Sequence, residues 1–260
     1  MSKEGIPVPI DLDLLMRAYA NGIFPMSDAR DDPDTFWIEP EQRAILSLER
    51  FHLSKSLAKT IRRDRFVVTA DTAFDRIIAT CAESRDDRRD TWINPDIEDA
   101  FCDLHRMGHA HSVECWLDGK LVGGLYGMAM GRAFFGESMF SRATDASKVA
   151  LAWLVARMKV GGFELLDCQF MTDHLASLGA VEISQEEYLV RLEAALGLAY
   201  QASVVSSPSP SSAAGAAGAG DWGALDGFLA AGASPSPEDF SSTASSSPGK
   251  LILQALIQTS

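Results

Sequence analysis

Between His111 and Gln169 the chain spells out an order of elements that few folds accommodate. HSVECWL and KLVGGLYGMAM are apolar runs separated by Asp118-Gly119. Asp-Gly in that position is among the strongest short-range hairpin signals, because the tight turn needs positive φ at both central residues. Gly131 marks a second turn before AFFGESMF. A helical stretch, ASKVALAWLVARMKV, then runs from about Asp145 to Gly161-Gly162, and FELLDCQ reads as a buried strand. A hairpin sheet, a long helix and a further strand exclude both an all-helical bundle and an all-β sandwich. They predict an α+β fold with a mixed sheet flanked by helices.

The flanking segments continue the alternation. Asp11 is placed to cap a helix carrying Leu14, Leu15, Ala18 and Tyr19 at helical spacing, stopped by Gly22. TFWIEP and RAILSL are short strand candidates, Ser54 caps SKSLAKTIRRD, and FVVTA is a strand. Asp71 or Thr72 opens a helix through Ile77, Ile78 and Cys81. Asn94-Pro95 opens another, a capping side chain followed by proline in the first turn. It turns Ile97, Phe101 and Leu104 inward and stops at Gly108. TDHLASLG is helical, and Ser184 and Glu187 have the spacing of a capping box at the start of SQEEYLVRLEAAL. The assembled pattern resembles acyltransferases of the GNAT type. It implies a small N-terminal α/β subdomain over residues 1–65 and a GNAT-like catalytic domain over 66–200.

Past residue 200 the composition changes. QASVVSSPSPSSAAGAAGAG and AGASPSPEDFSSTASSSPGK are rich in Ser, Ala, Gly and Pro and offer little to bury. Residues 201–260 are therefore expected to be a low-complexity, flexible tail with two apolar islands. DWGALDGFLAAG is a candidate short helix, and LILQALIQTS is an apolar end able to dock on the body.

Lys and Arg total 23 against 36 Asp and Glu, a net charge of −13. An acidic chain is a poor coat for nucleic acid, since phosphate binding needs cations to displace counterions. A local basic patch stays possible, and cationic ligands are favoured. No apolar stretch approaches the ~18 residues of a membrane span, so no membrane partner is expected. The N-terminus, MSKEGIPVPIDLDLL, lacks the basic region and apolar core of a secretory signal. Cys81, Cys102, Cys115 and Cys168 form no CxxC pair, which suits reduced thiols in a cytoplasm. A monomer is expected.

Several chemistries are absent from the sequence. It holds no GxxxxGK[ST] loop, no GxSxG elbow and no HExxH. His105, His109 and His111 lie close together, but they straddle the Gly108 helix stop without a clear third ligand, so capping or core roles are expected of them. An acyl-coenzyme A enzyme would present a glycine-rich turn at the N-terminus of the long helix, where backbone N–H groups hold pyrophosphate. That junction here reads SRATDASKVAL, without glycine. The acyl donor is expected to be something other than coenzyme A.

Eight motifs then occur in order: YANGIFPM (Tyr19–Met26), TWINP (Thr91–Pro95), GHAHSVECW (Gly108–Trp116), LVGGLYG (Leu121–Gly127), FGESMFSR (Phe135–Arg142), ASK (Ala146–Lys148), LLDCQ (Leu165–Gln169) and DHLASLGA (Asp173–Ala180). Together they resemble the leucyl/phenylalanyl-tRNA–protein transferase family over roughly residues 12–199, with a shortened N-terminus and a tail, 201–260, that has no evident counterpart. The resemblance implies transfer of Leu or Phe, with Met a further candidate, from aminoacyl-tRNA to proteins with N-terminal Arg or Lys, creating a degradation signal. It implies no cofactor and no metal, because the aminoacyl ester is already activated.

Under this resemblance the catalytic candidates are Asp167, Gln169 and Glu137. Asp167 and Gln169 are two apart on a strand, so both point to one face, and a carboxylate there would orient the Gln amide toward an attacking amine. Glu137 would hold that constellation or receive the cationic amine. Strand-end charges bonded to backbone are the plainer alternative. Met139 and Leu166 flank these residues, and the family likeness adds Leu125, Phe134, Leu151 and Leu154 as an apolar aminoacyl pocket. Ordinary core packing would use the same residue types. Trp37 and Trp92 are candidates for stacking on the terminal adenine, or else surface anchors. Lys55, Lys59, Arg62, Arg63 and Arg65 are candidates for tRNA phosphates, with a solvated basic face as the alternative. Two other functions fit the same pattern: a Leu transferase acting on acidic N-termini, and a non-catalytic tRNA- or peptide-binding adaptor.

Overall fold

The computed structural model describes residues 9–83, 91–197, 219–233 and 246–257. Helix α1 (Leu12–Ala20) is capped as its sequence predicts, the Asp11 carboxylate accepting the Leu14 N–H at 2.9 Å. Leu15, Met16 and Tyr19 are its buried residues, while Leu14 stays about half exposed. Strands β1 (Phe24–Met26) and β2 (Phe36–Ile38) form a separate two-stranded antiparallel ribbon.

Among the described residues, seven strands make the main sheet: β3 (Gln42–Leu46), β4 (Val67–Ala70), β5 (Ala110–Leu117), β6 (Lys120–Met130), β7 (Ala133–Ser141), β8 (Leu165–Gln169) and β9 (Ala180–Ser184). Their spatial order is β4-β5-β6-β7-β8-β3-β9. Every neighbouring pair is antiparallel except β7 with β8. The sheet is thus mixed and mainly antiparallel, and helices flank it. The Asp118-Gly119 turn has φ of 50° and 73°, as the hairpin requires. Two features depart from the sequence reading. Strand β9 was not singled out, because its burial does not alternate: Ala180 and Ile183 are buried, Val181 and Glu182 exposed. A boundary at residue 65 also does not divide the sheet, since β3, from within residues 1–65, lies between β8 and β9.

One face of the sheet carries α1, α3 (Phe74–Cys81), α4 (Pro95–Arg106) and α7 (Gln185–Leu196) over a core that includes Tyr19, Phe101, Tyr126 and Tyr188. The other carries α2 (Lys55–Arg62), α5 (Ala146–Val160) and α6 (Asp173–Ser177). Asn94 caps α4, its Oδ1 accepting the Ile97 N–H at 2.9 Å, and Ser54 caps α2. Neither Asp71 nor Thr72 caps α3, which starts after Ala73 with no side-chain bond. Their side chains serve β5 instead: Asp71 accepts the Ser112 N–H and Nδ1 of His111, and the Thr72 hydroxyl donates to Glu114. Only half of the capping box forms, because Ser184 accepts the Glu187 N–H while the Glu187 carboxylate pairs with Arg191.

Two helices follow, α8 (Ala224–Ala233) and α9 (Pro248–Ile257), and both pack on α5, with α9 also against α2. The expectation of a flexible tail does not describe these segments. Leu225 and Ile252 are fully buried, and the Arg157 guanidinium holds Asp226 through two hydrogen bonds of 2.7 and 2.8 Å. The two apolar islands form the helix and the docked end that their composition allowed, and the surface that takes them, the outer face of α5, exists only in the folded chain. The other parts of that tail, 201–218, 234–245 and 258–260, lie outside the described residues.

Candidate active site

The sheet opens where its one parallel pair diverges. β7 and β8 pair only from Ala133–Leu165 to Phe135–Asp167. Just beyond, each strand carries an unmatched residue. Tyr126 pairs with Ser138 and Gly127 with Gly136, leaving Glu137 over; Ala44 pairs with Gln169 and Ile45 with Asp167, leaving Cys168 over. Bulges of this kind re-aim side chains and interrupt pairing. Gln169 itself has φ of 62°, a left-handed conformation that costs a non-glycine residue energy and recurs at functional sites. The opening leads to a cavity of about 400 Å³, lined on its apolar side by Leu125, Met139, Leu151, Leu154 and Leu166. Glu137 and Gln169 belong to the same wall.

Asp167 is fully buried and saturated. It accepts from Arg43 Nε at 2.9 Å and Nη2 at 2.5 Å, from the Tyr188 hydroxyl at 2.9 Å and from the Gln169 backbone N–H at 2.8 Å. Arg43 is itself buried between the rings of Phe24 and Tyr188, each 4.6 Å from its guanidinium, and its Nη1 donates to the Gly22 carbonyl at 2.9 Å. Burial alone would lower the pKa of Arg43, but the Asp167 carboxylate beside it more than reverses this, so the guanidinium stays charged.

The link between Asp167 and Gln169 differs from the sequence expectation. The carboxylate reaches the backbone of Gln169 and not its amide. The amide Nε2 instead donates to Oε2 of Glu137 at 2.7 Å. Burial pushes the Glu137 carboxyl up to about 8, against the pull of the Tyr19 hydroxyl and the Gln169 amide toward the ionised form. A carboxyl and an oriented carboxamide therefore close one side of an apolar cavity, an arrangement able to receive an amine.

Other predicted residues are placed less uniformly. Of the pocket candidates, Phe134 is not part of the cavity wall, and its ring stacks on Trp222 with planes parallel to 9° and centroids 5.4 Å apart. Trp37 and Trp92 do not line it either. Both sit beside β1: Trp37 pairs with Pro25, and the Trp92 carbonyl accepts the Ser27 N–H at 3.1 Å. Phe24 of the same strand packs edge-on to Phe170 of the cavity wall at 5.6 Å. Lys55, Lys59, Arg62, Arg63 and Arg65 are all exposed on or just after α2. That helix is tied to the start of α5, where the Thr60 hydroxyl donates to Asp145. His105 donates from Nδ1 to the Ala110 carbonyl and stacks on Phe74, while His111 pairs with Asp71 and stacks on Trp222.

Sequence reasoning missed Arg43, Tyr188, Phe170 and His174. Arg43 begins a strand and resembles an ordinary edge cation; its partner lies 124 residues away. His174 carried a signal, a histidine five residues past the catalytic candidate Gln169 within the motif DHLASLGA.

The sequence profile described as leucyl/phenylalanyl-tRNA protein transferase matches residues 45–193, and that of its N-terminal domain matches residues 9–41. Three proteins named leucyl/phenylalanyl-tRNA–protein transferase are similar. The one from Rhizorhabdus wittichii is 55% identical over 258 residues, spanning 96% of this chain and 99% of its own. That from Novosphingobium aromaticivorans is 50% identical over 260 residues, 98% of each. That from Zymomonas mobilis is 64% identical over 187 residues, 72% of this chain and 70% of its own. At 96% and 98% of this chain, the first two alignments extend well into the tail, so much of it has counterparts in these relatives. Among solved structures, L-PGS from Bacillus licheniformis is 14% identical with a TM-score of 0.35, over 62% of this chain and 53% of that one. The C-terminal domain of a putative lysylphosphatidylglycerol synthetase from Agrobacterium fabrum is 12% identical with a TM-score of 0.36, over 63% and 54%. With a profile covering more than half its length and relatives aligned nearly end to end, the chain belongs to the leucyl/phenylalanyl-tRNA–protein transferase family.

Proposed function

We propose that this chain takes Leu or Phe, with Met a further candidate, from the 3′ end of its charged tRNA and joins it to the N-terminal Arg or Lys of an acceptor protein. The observation that carries the reading is the Glu137–Gln169 pair closing an apolar cavity of about 400 Å³. Leu and Phe make no polar demand on a pocket, and Met139 in its wall adapts to branched and aromatic shapes alike. The ester linking amino acid to ribose is already activated, so the task is to bring an amine onto its carbonyl and to manage one proton. With its Nε2 turned to Glu137, Gln169 points the carbonyl oxygen of the same amide away from that carboxyl, toward an incoming amine. Asp167 acts as a positioning residue, pinning the strained Gln169 backbone, and Arg43 and Tyr188 pin Asp167.

The exposed cations of α2 support a role in gripping acceptor-stem phosphates close to the α5 wall, and the Trp37–Trp92 edge beside Phe170 supports stacking on the terminal adenine. The splayed parallel pair flanked by α5 supports a GNAT-like catalytic fold. On this reading the enzyme works in the cytoplasm as a monomer, and its product bears an N-terminal degradation signal. The test is one incubation with labelled leucyl-tRNA and peptides beginning with Arg, Lys, Asp or Ala. Label on the Arg and Lys peptides alone is the expected result. Label on the Asp peptide would make the chain a transferase for acidic N-termini, and no label on any would make it an adaptor.

A further inference from the structure

Aminolysis of the ester leaves a proton to be moved, and neither Gln169 nor Glu137 suits that task. A carboxamide is not a base in water near neutral pH, and burial keeps Glu137 protonated up to about pH 8. Among the described residues, the remaining titratable groups in the cavity wall are Tyr126, Cys168 and His174. Burial raises the first two further above neutrality. His174 behaves differently. Burial, and then the Lys148 ammonium of α5, hold its imidazole below the ordinary value of 6.5, so it is a neutral base at pH 7. Its Nε2 is buried with no hydrogen-bond partner among the described residues. Its place is fixed, because Thr172 caps α6 by accepting the Leu175 N–H and Leu175 is buried in the core.

We propose that His174 shuttles the proton of the transfer step, a role that rests on the aminoacyl-transfer reading above. The acceptor amine forms the new C–N bond at the ester carbonyl, and its surplus proton passes to Nε2 of His174. As the C–O3′ bond breaks, the imidazolium returns that proton to the ribose O3′. The products are an amide and a free 3′-hydroxyl, with the histidine neutral again. One imidazole thus serves first as base and then as acid.

The experiment is single-turnover transfer from labelled leucyl-tRNA to an Arg-peptide between pH 5 and 8.5, for wild type, His174→Ala and His174→Gln, with donor affinity measured in parallel. Both variants should be slower by ~10²-fold or more, the usual scale of general acid–base catalysis, with donor affinity changed less than about threefold. Wild-type log rate should rise with a slope of two below the imidazole pKa, where amine and imidazole both lose protons. The slope should fall to one between there and the amine pKa near ~7.7–8. The variants should show a slope of one up to the amine pKa with no steeper limb below, and added imidazole should speed His174→Ala but not Gln169→Ala. A His174→Gln rate within threefold of wild type, or a slope of two persisting in slow variants, would overturn the proposal. Absence of transfer by wild type would overturn the reading beneath it, and the proposal with it.

Discussion

Arg43 and Asp167 form an ion pair with both partners out of water, held by two direct bonds and completed by Tyr188, Gly22 and the Gln169 N–H. Removing one partner strands the other as a buried charge, which costs about 3–5 kcal/mol. Arg43→Ala should lose that much in urea unfolding, and Tyr188→Phe only about 1 kcal/mol. A loss below about 1 kcal/mol for Arg43→Ala would mean water reaches Asp167. Glu137 makes a pH-dependent claim. Its carboxyl ionises near 4.5 when free but only near 8 in the fold, so the native chain keeps a proton that the unfolded chain releases. The stability it contributes is full below pH 4.5 and drains as pH rises to about 8. Relative to Glu137→Gln, wild type should lose roughly 2–4 kcal/mol between pH 5 and 8. Parallel stability curves would place an ionised Glu137 in the folded protein. Glu137 and Asp167 stood out as candidates through the family resemblance, because a carboxylate inside an apolar strand reads equally well as a strand-end charge. How they meet Gln169 was not legible, since bulges and a positive φ decide it and neither leaves a mark in a period-2 pattern.

At the scale of elements, the hairpins, the α5 crossover and most caps followed from turn residues and spacing. β9 did not, and for α8 and α9 the docking partner did not, because each depends on a surface distant in sequence. α5 is the clearest case: Leu151 and Leu154 face the cavity, while Arg157 reaches Trp222 and Asp226. Trp222 is clamped between elements, its indole N–H donating to Asp71 at 2.8 Å and its ring stacked on His111 and Phe134. Gly161 leaves no room for a Cβ against the Asp221 carbonyl, so the approach of this segment to the end of α5 is close. Trp222→Ala should therefore cost about 3–5 kcal/mol in thermal or urea unfolding. Below the melting transition, transfer should stay within about threefold of wild type, because the indole lies behind Phe134 and not in the cavity. A hundredfold loss in a folded variant would show that the segment completes the site.

Across the whole molecule the net charge is −13, yet α2 presents Lys55, Lys59 and Arg62 on an exposed face with Arg63 and Arg65 following. Such a field would draw a cationic acceptor broadly while confining a polyanion to one patch. Changing Lys59 and Arg62 to Ala should weaken leucyl-tRNA binding and reduce its log–log salt slope by roughly one unit per lost phosphate contact. An unchanged slope would move the tRNA to another face. An aminoacyl donor too small to touch α2 isolates the site itself. With phenylalanyl-adenosine and an Arg-peptide, Gln169→Ala should lower kcat by at least ~10²-fold with little change in donor KM, as for a group needed only where the bonds change. A Gln169→Ala enzyme that turns over this donor at the wild-type rate would contradict the account.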